Sequence, residues 1–422
     1  MTIRSAIHWL MGIPADTVFL DDGLGALAPL RDLRPVFDAR LGPLTTRQRH
    51  ERSLGLRTAA VIVPPELEAV TRETAGVPVN TIDTDALARD ELLVVNGRCP
   101  LPLEDLRTLE PGSALHDPQG GLIAARLSPG LVASLAEGLA ADPRVEQLDA
   151  EARTLDEPVL LTRPWHPRAV RDLALEVDLT LLEREPGAET PPDARRGFWC
   201  VGPTTPRIHP SARVMPGVVI DTEPGPVRLA AGAVVRPGAV ITGPASIGAG
   251  STVLDNAVIR PKTTIGPVCK VGGEIGGCVF QGYSNKAHGG YLGDSWVGAW
   301  VNLGAGTITS NLKNTYSEVR AAAEPDGPRE HTGQTFLGAV IGDHVKTAIG
   351  TRLMAGTVLH TGAMWAASGP VSGAVERFAW VTDRGRERAE PDKFLASAAA
   401  VMARRDVELS AIARERLREL AS

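Results

Sequence analysis

The 422-residue chain has few cysteines, few aromatic residues and no excess of positive charge. Its four cysteines show no CxxC or Cys/His spacing, which argues against a disulfide framework and a structural zinc site. Lysine and arginine number 44 against 50 acidic residues, a net charge of −6, so we expect neither a nucleic-acid partner nor an anionic membrane surface. No apolar stretch approaches the roughly 20 residues that a membrane helix needs.

The N-terminal segment also lacks the features of a signal peptide. It has Arg4 and a short apolar patch, but Asp16, Asp21 and Asp22 follow, and no small-residue cleavage site is evident. We therefore expect a cytoplasmic protein. Because the chain is too long for one ordinary core, we expect at least two domains.

Small residues and turn formers are abundant, with 44 glycines and 33 prolines. In the C-terminal half, an aliphatic residue recurs every six positions, with eight consecutive hits from Leu229 to Val271. The fourth residue after these positions is usually small, as in Ala233, Ser251 and Ala257. The repeated aliphatic residues are Ile208, Val214, Ile220, Leu229, Val235, Ile241, Ile247, Val253, Ile259, Ile265 and Val271, resuming at Val297, Leu303, Ile341, Leu353 and Leu359.

This hexapeptide repeat predicts a left-handed parallel β-helix, with about six residues on each face and three faces in each coil. The aliphatic residue points into a narrow prism, and a small residue is needed where the chain turns a corner. Ordinary strands with a chance spacing of six are the alternative, but an unbroken run of hits makes chance improbable. The fold leaves the chemistry open, since such prisms serve as acyltransferases, carbonic anhydrases and passive scaffolds.

The repeat lapses twice, over about residues 272–291 and 308–336. The first break contains His288, flanked by Gly289 and Gly290, and the glycine-rich stretch 303–311 precedes the second. Breaks in a strict repeat weaken stacking, so we expect functional loops there. A lone histidine is most often an ordinary loop residue, but this setting favours an accessible imidazole suited to proton transfer.

The segment KAHGGYLGDSWVGAWVNLGAGTITSN, residues 286–311, carries a family resemblance. It resembles the acetyltransferase half of the bacterial bifunctional N-acetylglucosamine-1-phosphate uridyltransferase/glucosamine-1-phosphate acetyltransferase family. The rest of the chain looks like a divergent sugar nucleotidyltransferase variant of that family. The resemblance is specific over about residues 205–365 and weaker before them.

The resemblance implies a homotrimer that uses acetyl-CoA in clefts between neighbouring prisms. It implies His288 as the catalytic base. The other implied site residues are Arg260, Lys286, Tyr291, Asn302 and Asn311 for the sugar substrate, with Ala305 and Gly306 for acetyl-CoA. Gly276 stands where the family has a lysine that completes its sugar-phosphate clamp, which weakens the expectation of a sugar 1-phosphate acceptor.

The N-terminal half alternates apolar strands and helical segments, which predicts an α/β domain with a mostly parallel sheet. By the resemblance, a glycine-rich loop after the first strand holds a triphosphate, but Leu24 and Leu27 replace its cations. Arg98 replaces the aspartate that binds magnesium. Phosphoryl transfer depends on those charges. We therefore expect a degenerate domain that is structural, regulatory or ligand-binding, with Mg²⁺ only if it is active.

Other charged residues of this half leave two interpretations open. Asp21 and Asp22 could hold a metal in a rearranged site. The nearby arginines could gather around a phosphate or be solvated surface charges. They are Arg34, Arg40, Arg47 and Arg49.

These patterns divide the chain into four parts. We expect a nucleotidyltransferase-like domain over 1–162, a linker helix and loop over 163–204, the β-helix over 205–375 and a C-terminal helix within 376–422, spanning about 393–420. Arg404 and Arg405 in that helix could contact coenzyme, although a solvated basic face is the favoured interpretation. The aromatic residues near the breaks are expected to be exposed on a monomer and to mark a trimer interface. They are Phe280, Tyr283, Trp296, Trp300 and Tyr316.

The leading functional hypothesis is an acetyl-CoA-dependent N-acetyltransferase. It would act on an amino sugar or amino-sugar phosphate in nucleotide-sugar or cell-envelope precursor synthesis. One alternative is a sugar-1-phosphate nucleotidyltransferase, transferring uridylyl or thymidylyl groups through the N-terminal domain. Another is a non-catalytic β-helix scaffold.

Overall fold

A computed structural model of the chain describes residues 16–85, 87, 91–141, 151–184 and 197–422. The segment before residue 16, in which no signal peptide was recognised, and most of the predicted loop 186–197 lie outside these residues. The chain divides into two compact units. Unit 1 comprises Met1–Gly25, Arg34–Ala39 and Leu44–Thr162, and unit 2 comprises Ala26–Leu33, Arg40–Pro43 and Arg163–Ser422.

Unit 1 is a six-stranded sheet with helices α1 (Thr46–Leu54), α2 (Pro65–Thr74) and α3 (Pro129–Ala141). The strand order is β2–β1–β3–β5–β4–β6, with β1 parallel to β2 and β3, and β4 parallel to β6. The strands are β1 (Asp16–Leu20), β2 (Arg57–Ile62), β3 (Leu92–Asn96), β4 (Ser113–His116), β5 (Leu122–Leu127) and β6 (Glu151–Thr154). The predicted nucleotidyltransferase-like α/β architecture is confirmed.

Local sequence explains how this unit folds. β3 is buried along its whole length, as its unbroken apolar run predicts for a central strand. α1 begins with a capping box in which Thr45 and Gln48 bond each other's backbone amides. It ends at Gly55, whose φ of 64° suits glycine.

Unit 2 contains helix α4 (His166–Glu183) and a prism of three parallel sheets. Face A has six strands, Trp199–Val201, Val219–Asp221, Val240–Thr242, Val258–Ile259, Glu274–Gly276 and Tyr291–Gly293. Face B has nine, Arg207–Ile208, Val227–Leu229, Ala245–Ile247, Thr263–Ile265, Val279–Gly282, Trp296–Ala299, Ala339–Ile341, Thr357–Leu359 and Ala374–Val375. Face C has ten, Arg213–Val214, Val234–Val235, Thr252–Val253, Lys270–Val271, Asn285–Lys286, Asn302–Leu303, Lys346–Thr347, Met364–Trp365, Ala379–Thr382 and Gly385–Arg388. The last two strands of face C form an antiparallel hairpin.

The repeated aliphatic residues point into the prism, and this confirms the hexapeptide β-helix. Val235 pairs with Val253 and Val253 with Val271, so that residues 18 apart stack in successive coils. The small residues Ala233, Ser251 and Ala257 are fully buried at the corners. Because each coil is narrow, stability depends on this stacking of neighbour on neighbour.

The repeat breaks change the length of individual coils. Val271 pairs with Lys286, only 15 residues on, and Ile275 pairs with Leu292. In the second break, Arg320–Ala321 and Glu330–His331 form a short antiparallel hairpin. A separate parallel pair joins Ile308–Thr309 to Arg352–Leu353.

The expectation that all five aromatic residues are exposed on a monomer is wrong for two of them. Phe280 belongs to the prism core, and Trp296 is buried in a second cluster beside the prism. The indole of Trp296 donates to the carbonyl of Arg40 at 3.0 Å. Tyr316 is exposed, and Tyr283 and Trp300 are half-buried.

The chain ends in two helices, α5 (Pro391–Ala403) and α6 (Ala411–Ala421), so the prediction of one helix over 393–420 is wrong. The helix breaks at Asp406, whose φ is 56°, and α6 starts afresh where Ser410 caps the amide of Ala413. Among the helices of the described ranges, none combines the length and apolar character that crossing a bilayer requires.

Candidate active site

A cavity of about 550 Å³ in unit 2 collects several of the predicted site residues. One wall is a column of outward-facing residues that begin successive strands of face C. Register pairs Lys270 with Asn285, Asn285 with Asn302 and Asn302 with Lys346. The β-helix therefore stacks two cations and two amides into a ladder along one side of the cavity.

His288 lies at the corner that follows the strand Asn285–Lys286, and its side chain is exposed at the cavity. Asn285 pairs with Asn302, and the amide of Gly306 donates to the carbonyl of Gly289 at 3.1 Å, so both pairs are 17 residues apart. The same offset places His288 one coil from Ala305. The predicted base and the predicted acetyl-CoA residue are thus neighbours.

Two further cations line the cavity from the break between α5 and α6. Arg404 is exposed, and Arg405 donates to the side-chain oxygen of Asn285 at 2.7 Å. Four cationic side chains therefore line one cavity, because Lys270 and Lys346 line it as well. Such a concentration of positive charge suits a ligand with several phosphates.

Aromatic side chains form another part of the cavity wall. Tyr283 and Trp300 stack with ring centroids 4.4 Å apart. Both residues sit at prism corners with positive φ, 55° and 61°, a conformation more usual for glycine or asparagine. Ile349 also lines the cavity and is 80% exposed.

Tyr291 and Asn311 lie outside this cavity lining, in a second cluster. The amide of Asn311 donates to the phenol oxygen of Tyr291 at 3.2 Å and to Asp294 at 2.7 Å. Asp294 in turn pairs with Arg168 and Arg171 of α4. Burial, together with the charge of Asp294, raises the pKa of Tyr291, so its phenol stays protonated at neutral pH.

Arg260 is on face A, where its guanidinium pairs with Glu274. Its aliphatic stem covers Gly276, because a Cβ added to that glycine would lie 3.1 Å from the Cβ of Arg260. The stem thus occupies the space beside the position where the resembling family has a lysine. Arg260 is the remaining cation of the predicted phosphate contact, and a carboxylate already neutralises it.

Lys286 does not face the cavity, contrary to the expectation of a substrate contact. It follows Val271 in the inward-facing column of face C, and its residue is 2% exposed. Its ammonium group donates to the carbonyls of Gly272 at 3.1 Å and His288 at 2.5 Å. Because the side chain is inside the prism, we assign it no contact with substrate.

In unit 1, the place of the family's magnesium aspartate is taken by a buried ion pair. Arg98 donates to Asp22 through Nη2 at 2.6 Å and Nε at 2.9 Å, and Asn96 donates to the same carboxylate at 2.7 Å. Asp21 accepts from the amides of Gly23 and Val36. A guanidinium already neutralises Asp22, so these residues do not fit Mg²⁺. Within the described residues, no three histidine, cysteine, aspartate or glutamate side chains converge as a metal-binding group.

The arginines of this half have partners of their own rather than a shared phosphate site. Arg49 is buried and donates to the carbonyls of Pro100 and Leu44. Arg47 pairs with Asp38 and bonds the carbonyl of Ala75.

The sequence of folds along the chain defines a protein class with a nucleotidyltransferase-like unit followed by a hexapeptide-repeat β-helix. Residues 17–186 match the family model described as sugar nucleotidyl transferase. A bifunctional sugar-1-phosphate nucleotidylyltransferase/acetyltransferase of Sulfurisphaera tokodaii is 36% identical over 99 residues, 23% of this chain and 24% of that protein. The bifunctional protein GlmU of Methanococcus vannielii is 33% identical over 124 residues, 29% of each chain. The chain is a divergent relative of these GlmU-type bifunctional proteins.

The matched region spans about a quarter of the length of these curated relatives. Among solved structures, a hexapeptide transferase family protein from Anaplasma phagocytophilum aligns with 49% of this chain and 96% of its own, at 16% identity and a TM-score of 0.20.

Proposed function

We propose that unit 2 is an acetyl-CoA-dependent N-acetyltransferase that acts on the amine of an amino sugar or amino-sugar phosphate. The observation that carries the proposal is the cavity in which His288, Asn302 and Ala305 meet four cationic side chains. A passive scaffold has no need to stack an exposed imidazole beside such a concentration of positive charge.

In the proposed reaction, the acceptor amine attacks the thioester carbonyl of acetyl-CoA. The imidazole of His288 takes the proton that the amine loses as the new C–N bond forms. Backbone amides near Ala305 and Gly306 stabilise the oxyanion of the tetrahedral intermediate. The C–S bond then breaks, and the departing thiolate receives the proton from His288.

The cavity cations fit the coenzyme end of this reaction. Coenzyme A carries a diphosphate and a further phosphate, and Lys270, Lys346, Arg404 and Arg405 would bind them through charge-assisted hydrogen bonds. The contact between Arg405 and Asn285 orients that guanidinium along the column that contains Asn302. Asn302 is placed to bind either the pantetheine arm or the acceptor.

Tyr291 and Asn311 are proposed to bind the acceptor from a neighbouring part of the prism, with Asp294 orienting Asn311. Arg260 is a poor phosphate ligand here because Glu274 neutralises it. The acceptor panel should therefore include amino sugars without a 1-phosphate and nucleotide-linked amino sugars.

We also propose that the active species is a cytoplasmic homotrimer, with each coenzyme cleft shared between prisms. Exposed apolar side chains support this assembly, since Ile349 lines the cavity and Ile308 and Met354 are more than 40% exposed. Unit 1 is proposed to be non-catalytic, because Arg98 already occupies the carboxylate that a metal would need. Pyrophosphate release from a nucleoside triphosphate and a sugar 1-phosphate with Mg²⁺ would contradict that part.

The test is thiol release from acetyl-CoA by the full chain across the acceptor panel. His288→Ala should lower kcat by about 10²- to 10⁴-fold, the usual contribution of a general base, while assembly stays intact. His331→Ala is the matched control, since His331 is exposed and pairs with Glu318 outside the cavity lining. Absence of transfer to every acceptor, or equal rates for the two variants, would overturn the proposal.

A further inference from the structure

Lys286 is a cation in a column of aliphatic side chains. Along the inward side of face C, Val235, Val253 and Val271 precede it, and Leu303 follows in the next coil. Placing an ammonium group in such an environment costs free energy unless hydrogen bonds compensate for the lost water. The position therefore calls for a reason other than packing.

The shortened corner beside Lys286 supplies that reason. In the full-length corner one coil earlier, the carbonyl of Leu254 accepts from the amide of Ala257 at 3.2 Å. Between the inward residues Val271 and Ile275 the corner is shorter, and the carbonyl of Gly272 accepts from the ammonium of Lys286 instead. The lysine thus replaces a hydrogen bond that the regular turn would have made.

The same ammonium group also reaches the main chain of His288. It donates to the His288 carbonyl at 2.5 Å, so one side chain ties this residue to Gly272 in the preceding coil. His288 is followed by two glycines, and Gly290 has a φ of 120°, so local sequence does little to fix the backbone here. Burial lowers the pKa of Lys286 to about 8, which leaves the group mostly protonated at neutral pH.

We propose that Lys286 is a positioning residue, which holds the backbone of His288 from inside the prism and thereby sets where its imidazole points. The catalytic consequence rests on the acetyl-transfer function proposed above. The structural consequence does not, and it can be measured without substrate.

The test compares Lys286→Met, which keeps the length of the side chain but removes the donor, with Lys286→Gln, which retains an N–H donor. Hydrogen exchange of the amides of residues 287–291, measured by mass spectrometry on the full chain, should be about tenfold faster in the methionine variant. The glutamine variant should recover part of the protection. Val253→Ala, in the same column but away from the His288 carbonyl, is the control for core damage and should leave these amides unchanged.

With an acceptor in hand, kcat should fall about ten- to a hundredfold in Lys286→Met while the KM for acetyl-CoA changes little. If exchange responds but the wild type transfers no acetyl group, the positioning contact stands and the acetyl-transfer proposal fails. Unchanged exchange at 287–291 in the methionine variant overturns the positioning role. It is also overturned if both lysine variants fail to fold while Val253→Ala folds, because Lys286 would then serve the fold as a whole.

Discussion

The guanidinium of Arg98 grips the carboxylate of Asp22 through two nitrogens, and both side chains are at most 4% exposed. A fixed cation therefore stands where a sugar nucleotidyltransferase of the resembling family would gather carboxylates around a metal. Unit 1 keeps the architecture of such an enzyme, and the charges at the equivalent place have been rearranged into a closed ion pair.

Breaking this pair should destabilise unit 1 by about 3–5 kcal/mol in Arg98→Met, because Asp22 would remain buried without its counter-ion. Adding Asp22→Asn should recover most of that loss. The free energy of unfolding can be followed by urea-dependent hydrogen exchange in β3 of the full chain. Arg153→Met, which breaks the more exposed pair with Asp105, should cost less than about 1 kcal/mol. A double variant no more stable than Arg98→Met would refute the account.

His50 should make unit 1 sensitive to acid. Its ring is fully buried, its Nδ1 lies 2.9 Å from the carbonyl of Thr46, and burial lowers its pKa to about 4. Between pH 6.5 and 4 the unfolded state binds a proton that the folded state does not, so stability falls as the pH drops through this window. The loss attributable to His50 should be about 3 kcal/mol.

His50→Asn, which cannot take up that proton, should lose less stability than the wild type between pH 7.5 and 4.5. Hydrogen exchange in β3 measures both proteins, and the comparison at pH 7.5 corrects for the effect of the substitution itself. Equal losses in the two proteins would show that other groups dominate the acid response.

The β-helix could be predicted because the inward residues recur locally. Ile247 and Ile265 stack in successive coils, and every residue in between follows the same spacing. His288, Asn302 and Ala305 could also be brought together by sequence, since an offset of 17 relates their coils. Lys346 was missed, although stepping from Asn302 across the second break to the next coil of face C would have found it.

Other features could not be predicted from spacing. The shortened coil between Val271 and Lys286 changes which residue points inward, so Lys286 was assigned to substrate instead of the prism interior. The break between α5 and α6 depends on a single residue with positive φ, Asp406, and it brings Arg404 and Arg405 to the cavity. Helical periodicity alone continued through that point.

The arginines at this break should bind coenzyme and not take part in the chemistry. Arg404→Ala and Arg405→Ala should each raise the KM for acetyl-CoA about tenfold, with kcat changed far less, because each removes a charge-assisted contact. The effect should shrink as salt screens the phosphates. Arg384→Ala removes the same charge from the terminal hairpin, outside the cavity lining, and should leave KM unchanged. A fall in kcat at constant KM would contradict a binding role.

Assembly should depend on the apolar rim of the cavity. Ile349 is 80% exposed and Met354 is 42% exposed, which is costly for a free surface but not for one covered by a neighbouring prism. Light scattering coupled to size exclusion should find the wild type at about three times the monomer mass of 44.6 kDa. Ile349→Asp combined with Met354→Asp should shift it towards the monomer, because two carboxylates would be buried at the interface.

The loss of assembly should carry a loss of coenzyme binding if each cleft is shared. The double variant should therefore show a KM for acetyl-CoA that falls as protein concentration rises and trimers re-form. Leu131→Asp introduces a charge at an exposed leucine of α3 in unit 1 and should change neither mass nor KM. A wild-type monomer with full acetyl transfer would rule out the shared cleft, and the cavity of a single prism would then have to hold the coenzyme alone.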